Sequence, residues 1–97
     1  MSYQAIVQSD RRLTILILLA QSAGYSANEH LLRAALDGFG HSVARDLLRT
    51  ELAWLKEQGL VTIEEIAGMQ VAELTARGAD VQAGRAHVPG IKRPEAG

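Results

Sequence analysis

The chain has 97 residues, with 10 Lys and Arg, 11 Asp and Glu, a net charge of −1 and no cysteine. This length suits a single domain. The absence of cysteine excludes disulfides and thiolate metal sites, and it is typical of cytoplasmic proteins. A protein that bound DNA by charge alone would be clearly basic, so a DNA-binding role must depend on where the basic side chains lie.

The apolar segments are too short to cross a bilayer. The longest run, residues 15–20, falls far below the ~20 residues that a spanning helix needs. Arg11 and Arg12 precede this run, but no small-residue cleavage pattern of the signal-peptide type follows it. We therefore expect a soluble, cytoplasmic and unprocessed protein with no membrane partner.

The first part of the chain predicts one long helix after a short leading segment. Residues 1–9 show no sustained period, and we predict an N-terminal arm or a short helix there. Ser9 and Asp10 are both good N-cap residues, so helix one is predicted over residues 11–23, with Gly24 at its end.

Helix one is apolar nearly all round, and such a helix must be covered on more than one side. In a domain of this size the favoured source of the second cover is another subunit, which makes the protein a homodimer. The alternative is a monomer in which helix one is simply the central core helix. The residues assigned to the dimer interface are Ile15, Leu18 and Leu19.

The next segment has the pattern of a helix-turn-helix. Ser26 and Glu29 have the spacing of a capping box, in which each side chain accepts a hydrogen bond from the backbone amide of the other. This pattern predicts the start of helix two. A short glycine-containing turn follows, and Ser42 is placed to cap helix three, predicted over residues 43–58.

Helix three has an apolar side and a polar arc. The arc is the part available to a ligand, and Arg45 and Arg49 lie one turn apart on it. Glu51 falls inside the apolar side, where an unpaired carboxylate would be costly. We expect an arginine or other hydrogen-bond donors beside Glu51, from this chain or across a subunit interface. The alternative is that the end of helix three is exposed and leaves Glu51 at the rim.

The residues beyond helix three predict a β-hairpin. Residues 60–66 are rich in β-branched side chains, Ala67 and Gly68 supply a turn, and residues 69–74 form a second short strand. This hairpin is the wing of the fold.

A final helix and a tail complete the prediction. Thr75 caps a helix over residues 76–86, and the Pro- and Gly-containing residues 87–97 predict an irregular tail. The whole pattern is mainly α with a small β-hairpin. It predicts a winged helix-turn-helix of three core helices, a two-stranded wing and a C-terminal helix, within a domain of residues 10–86.

Two segments carry a resemblance to known regulators. The segment LAWLKEQGLV, followed by a hairpin and then AELTARG, resembles the winged helix-turn-helix regulators of the MarR, ArsR and PadR kind. In those families the end of the recognition helix, a Gly-Leu-Val entry into the wing and a Leu-Thr-x-x-Gly helix start follow in this order. The resemblance implies the fold more strongly than it implies a function.

A closer resemblance is to the small winged-helix proteins of Mu-like prophages, often labelled ArsR-like. It is carried by DRRLTILILLAQ, ELAWLKEQGLV, LTARGADVQAG and the tail PGIKRP, and this tail has no counterpart in general regulators. The resemblance implies a phage context. It implies no mechanism.

The first functional hypothesis is double-stranded DNA binding by a transcriptional-regulator-like protein. In winged helices of this type the first half of the recognition helix enters the major groove. Of Arg45 and Arg49, one suits contact with a base edge and the other suits contact with a base or a phosphate, although paired charges on a solvated face are the more common use of such residues. The predicted DNA-binding residues are His41, Ser42, Arg45, Asp46 and Arg49, with Lys92 and Arg93 of the tail as further phosphate contacts.

The alternative hypothesis is a winged-helix module that binds a phage or host protein and not DNA. Glu64 and Glu65 make the wing acidic, and acids repel the DNA backbone. The low net charge and the apolar helix one also favour a protein partner.

Catalysis and metal binding are the least supported functions. His41, Ser42 and Asp46 resemble a catalytic triad in composition only, because all three lie in one helical turn and its cap, where they cannot converge. His30 and His87 are isolated in the sequence and lack metal-ligand spacing. We therefore expect no catalytic residues, no metal and no cofactor.

Overall fold

The computed structural model describes residues 1–95, which form four α-helices around a small antiparallel sheet with strand order β1-β3-β2. The elements are α1 (Tyr3–Gln21), β1 (Ser26–Asn28), α2 (Glu29–Gly38), α3 (Arg45–Glu57), β2 (Val61–Ile66), β3 (Met69–Leu74) and α4 (Ala76–Gln82), with a 3-10 turn at Ala23–Tyr25. This is a winged helix-turn-helix, in which α2 and α3 form the helix-turn-helix and β2 and β3 form the wing. The predicted fold class, mainly α with a small hairpin, is confirmed.

The first helix begins earlier than the sequence pattern predicts. Ser2 caps α1, and its Oγ accepts a hydrogen bond from the Ala5 amide at 3.1 Å. Residues 3–9 are therefore the first turns of α1, and the alternative of an irregular arm is wrong. Ser9 and Asp10 lie inside the helix and cap nothing.

The expectation that Ile15 and Leu19 face a partner subunit is wrong. Both side chains are 0% exposed within the chain itself, and Leu18 is half-buried. The second cover for α1 comes from the same chain, because α4 packs against α1 and the tail adds Val88 and Ile91 to the common core. The interpretation of α1 as the central core helix is the one that the structure supports.

The start of α2 differs from the predicted capping box. Asn28 is the N-cap, and its Oδ1 accepts from the Leu31 amide at 2.9 Å. Ser26 instead belongs to β1, whose Ala27 pairs with Ala72 of β3. This strand was not predicted, and its pairing with β3 directs Glu29 into the interior.

The wing is short and closely joined to the helices. Ile66 pairs with Met69, so Ala67 and Gly68 form a two-residue turn, and their φ angles of 52° and 78° suit the right-handed twist of a hairpin. Gly78 of α4 lies so close to the Leu60 carbonyl and the Leu74 side chain that a Cβ atom would overlap both. α4 therefore packs tightly against the base of the wing.

Residues 87–95 of the predicted tail form no helix or strand, yet they are fixed to the domain, and residues 96 and 97 lie outside the described part of the chain. Val88 and Ile91 are each 3% exposed, and the Lys92 amide donates to the Ser9 carbonyl at 3.1 Å. Arg12 donates to the Gly90 carbonyl at 3.3 Å. Within residues 1–95, no helix combines the length and apolar character of a bilayer-spanning segment.

Candidate nucleic-acid interface

The candidate site is the surface formed by the first half of α3 and the turn of the wing. We call it the α3–wing face, and it comprises Ser42, Arg45, Asp46, Arg49 and the turn residues Ala67 and Gly68. Arg45 and Arg49 lie one helical turn apart on α3. Both side chains reach the turn of the wing at Gly68. Nη2 of Arg45 donates to the Gly68 carbonyl at 3.0 Å, and Nη2 of Arg49 donates to the same oxygen at 2.9 Å.

A buried carboxylate beneath this face holds both arginines. Glu29 is 1% exposed, and its Oε1 accepts from Nε of Arg45 at 3.2 Å and from Nε of Arg49 at 2.9 Å. Its Oε2 accepts from Nη2 of Arg49 at 2.8 Å and from the backbone amide of Gln70 in β3. One carboxylate thus connects α2, α3 and the wing.

The charges of this cluster explain the ionisation of Glu29. The hydrogen bond from Arg49 lowers the pKa of the Glu29 carboxyl to about 2, and it outweighs burial, which acts to raise the pKa. The Gln70 amide and the charge of Arg45 lower it further. Glu29 in turn raises the pKa of Arg49. Two guanidinium groups against one buried carboxylate leave one positive charge within the cluster, and Arg45, at 50% exposure, is the more exposed of the two arginines. The charges of Asp46 and Glu65 also act on Arg49.

Ser42 and Asp46 are both exposed. Ser42 does not cap α3, because Ala44 holds the N-cap position and α3 begins at Arg45. Ser42 lies instead in a shallow hollow with Arg33 and Asp37 of α2. The start of α3 therefore carries no side-chain cap, and Ser42 is open to a ligand.

His41 does not lie at the mouth of a groove, so its assignment to DNA is wrong. The side chain is 7% exposed, and Nε2 is 2.7 Å from Oδ2 of Asp10 in α1. Nζ of Lys92 is 3.5 Å from the other oxygen of Asp10. Burial acts to raise the pKa of Asp10, but the contacts with His41 and Lys92 outweigh it and lower the pKa. His41 thus fixes the turn between α2 and α3 to α1.

The two basic residues of the tail differ in their surroundings. Lys92 contacts Asp10 and Glu95, at 3.5 and 3.9 Å, and does not join the arginines of α3. Arg93 is exposed.

Glu51 has two arginine partners from its own chain, so the expectation of an arginine beside it is confirmed. The carboxylate is 1% exposed, and it accepts from Nη1 of Arg11 at 3.1 Å and from Nε of Arg12 at 3.0 Å. The Arg12 guanidinium also lies 3.8 Å from the centre of the Trp54 ring. The alternative of an exposed Glu51 at the rim of α3 is wrong.

Metal ligands are not gathered in the part of the chain that the structure describes. No three side chains of His, Asp or Glu in residues 1–95 are arranged around one point. His30 and His87 are exposed and lie apart from His41 in the sequence.

Two proteins of known sequence place the chain in a family. It is 49% identical over 89 residues to the uncharacterized protein gp26 of Escherichia phage Mu, and the match covers 92% of each chain. The chain belongs to the gp26 family. An uncharacterized protein of Haemophilus influenzae is 47% identical over 78 residues, which cover 79% of this chain and 76% of that protein. No family model matches the sequence.

Among solved structures, a MarR family transcriptional regulator from Streptomyces coelicolor, determined in complex with DNA, has a similar fold. The TM-score is 0.62 at 23% identity, over 72% of this chain and 42% of the regulator. The present chain thus spans less than half of the regulator's length. At this identity the likeness shows the winged helix-turn-helix fold alone.

Glu29 is the residue of the site that sequence reasoning missed. Its spacing from Ser26 satisfies a capping box, and that local pattern hid its role. Asn28 is an equally good N-cap residue and would have placed Glu29 at the first helical position. Nothing local in the sequence identifies Arg45 and Arg49 as its partners.

Proposed function

We propose that this protein binds duplex DNA, with the first half of α3 in the major groove and the turn of the wing beside the DNA backbone. The observation that carries the proposal is the state of Arg45. Its guanidinium is 50% exposed at the start of the second helix of a helix-turn-helix, and it is held in one direction by Glu29 and Gly68. The fold likeness to a regulator solved in complex with DNA supports the same function.

The four polar residues of the α3–wing face each have a role in this proposal. Arg45 contacts a base edge, since an arginine fork matches the two acceptors of guanine in the major groove. Asp46 and Ser42 flank it, and a carboxylate there accepts a hydrogen bond from the amino group of cytosine. Arg49 is less exposed, at 28%, and supports Arg45. Of the tail residues, we propose only Arg93 as a phosphate contact, because Lys92 is held by Asp10.

The acidic wing sets the expected character of binding. Glu64 and Glu65 are exposed on β2, and the net charge of the chain is −1. Few phosphates can therefore be neutralised, and each neutralised phosphate contributes about 0.9 to the slope of log affinity against log salt. We expect weak attraction to arbitrary DNA and a preference that depends on base contacts.

The test begins with enrichment of bound sequences from a pool of duplexes with a random core, followed by fluorescence anisotropy over a salt series. Arg45→Ala should weaken binding to the enriched duplex about tenfold or more, because one bidentate base contact is lost. Lys56→Ala is the matched control, since Lys56 is an exposed cation on the last turn of the same helix. The proposal fails if no sequence is enriched, or if both variants bind the enriched duplex as tightly as the wild type.

A second candidate, contact with another protein, is favoured by a separate surface. Tyr3, Ile6, Phe39 and Leu47 are exposed by 79, 49, 61 and 38% and lie around the first turns of α1. Residues 1–9 contain no charged side chain. The same hollows also contain Arg11, Asp10 and Lys92. In a two-fold interface the same surface meets itself, so an apolar surface that includes charges of both signs suits a second copy of this chain.

We propose this surface, rather than Ile15 and Leu19, as the interface of a homodimer. Ile6→Glu should then give a monomer in analytical ultracentrifugation. Leu18 is the one half-buried residue of the three first predicted for the dimer interface, and Leu18→Glu tests it in the same measurement. If the wild type is a monomer, the partner is a phage or host protein or the surface is unused, and the homodimer proposal is rejected.

A further inference from the structure

The chain contains two clusters of the same composition in different places. Glu29 and Glu51 are each 1% exposed, and each carboxylate is bonded to two arginines. The arginines of Glu51 are only 13 and 11% exposed, and they join α1 to α3 and the tail. The arginines of Glu29 are 50 and 28% exposed and lie on the α3–wing face. The Glu51 cluster is therefore internal, whereas the Glu29 cluster presents its cations to solvent.

We propose that Glu29 is a positioning residue that gives the α3–wing face its preference among DNA sequences. This inference rests on the proposed function and goes beyond it, since Glu29 itself is buried and contacts no DNA. It acts through Arg45, through Arg49 and through the turn of the wing. Its effect is to fix the direction of one guanidinium and to cancel the charge of the other.

The positioning follows from the hydrogen bonds of the cluster. Arg45 binds Glu29 with Nε and Gly68 with Nη2, at 3.2 and 3.0 Å, so two donors on one edge of its guanidinium are fixed. Arginine is otherwise a flexible side chain that loses rotamer freedom when it binds a ligand. Because Glu29 has already fixed Arg45, the remaining guanidinium edge is presented in one direction. A contact that depends on direction distinguishes one base from another, whereas attraction to a phosphate does not.

The same carboxylate also limits non-specific attraction. Two guanidinium groups without Glu29 would present two positive charges to the phosphates of any duplex. With Glu29 in place the cluster carries one, because both oxygens of the carboxylate are bonded to the arginines. Glu29 thus raises the preference for the correct sequence in two ways, by orienting a base contact and by weakening binding to every other sequence.

Glu29→Gln tests the inference, with Glu51→Gln as the matched control. Each substitution removes one buried negative charge and leaves two arginines without a carboxylate, so the change in net charge is the same. For Glu29→Gln we expect tighter binding to a scrambled duplex and a salt slope steeper by about 1, since one more cation meets phosphate. The ratio of affinities for the enriched and scrambled duplexes should fall at least about fivefold. For Glu51→Gln the slope and the ratio should equal those of the wild type.

A second variant separates orientation from charge and guards against poor folding. Glu29→Gln combined with Arg49→Gln restores the net charge of the wild type and leaves Arg45 as the one arginine of the cluster, with the Gly68 carbonyl as its remaining partner. This double variant should recover the wild-type salt slope but not the sequence preference.

The inference is overturned if either Glu29 variant keeps the sequence preference of the wild type, or if Glu51→Gln loses that preference equally. In both cases Arg45→Ala still weakens binding to the enriched duplex, so the proposed function stands. If the wild type enriches no sequence, the proposed function fails and the inference fails with it.

Discussion

The ionisation of Glu29 predicts an effect on the stability of the fold that can be measured without DNA. Its carboxyl has a folded-state pKa of about 2 against an ordinary value of 4.5. A lowered acid pKa stabilises the folded state above the ordinary value, and this stabilisation is lost as the pH falls through the folded-state value. The window for Glu29 therefore runs from pH 4.5 down to about 2.

The size of the effect follows from the two pKa values. A tenfold change in an acid constant is worth about 1.4 kcal/mol, so a fall in pKa from 4.5 to about 2 corresponds to at most about 3.5 kcal/mol of unfolding free energy. In a domain of this size the whole unfolding free energy is roughly 5–15 kcal/mol, so this contribution is measurable. We expect Glu29→Gln to lower the unfolding free energy by about 3 kcal/mol near neutral pH.

Urea unfolding followed by circular dichroism, at pH ~6 and pH ~2.5 for both proteins, measures the effect. The gap between wild type and Glu29→Gln should be widest at the higher pH and should shrink as the pH falls, because a protonated Glu29 resembles glutamine. Asp10, whose pKa is also lowered, titrates in both proteins and so cancels from the comparison. An equal gap at both pH values would refute the assignment of Glu29 as an ionised partner of Arg45 and Arg49.

Two further predictions concern packing. Gly78→Ala should destabilise the domain by about 2 kcal/mol or more in urea unfolding, because its Cβ would overlap the Leu60 carbonyl oxygen. Gly38 is a helical glycine with open space around it, so Gly38→Ala should be neutral or should stabilise the domain by up to about 1 kcal/mol. A similar loss of stability in Gly78→Ala and Gly38→Ala would contradict the packing argument. Ile91→Ala should cost about 2–4 kcal/mol if the tail belongs to the core. Ile66→Ala is its exposed control, at 53% exposure, and equal unfolding midpoints for these two variants would show that the tail contributes nothing.

Local patterns were sufficient to predict most of the fold. The hairpin is predicted by the β-branched residues of 60–66 and by the turn residues Ala67 and Gly68, and the strands pair as this turn requires. The end of α3 is equally local, because Gly59 has a φ of 75° and stops the helix. In each case the residues that determine the element are close together in the sequence.

The features that were missed depend on contacts between distant parts of the chain. The strand β1 has three residues, too few to show a period, and it exists because β3 pairs with it. Residues 3–9 show no clear helical period because this part of α1 projects beyond the core, with Tyr3 and Ile6 exposed.

Prediction of the site residues from the sequence has the same limit. The polar arc correctly placed Arg45, Asp46 and Arg49 on one face of α3. It did not show that Arg45 and Arg49 are bonded to Glu29, or that His41 turns inward to Asp10. The spacing of residues along one helix predicts a shared face, whereas a buried ion pair between helices depends on how those helices pack.

The attachment of the tail to α1 has a consequence for folding during synthesis. Val88 and Ile91 enter the core, and the Lys92 amide donates a hydrogen bond to the Ser9 carbonyl. Residues 88–92 therefore complete the packing around α1, which forms near the start of the chain. A chain emerging from the ribosome can form α1, α2 and α3 early, because helices form from local contacts. Its core stays open until the residues around Ile91 have emerged, and until then the apolar surface of α1 is available to chaperones and to other nascent chains.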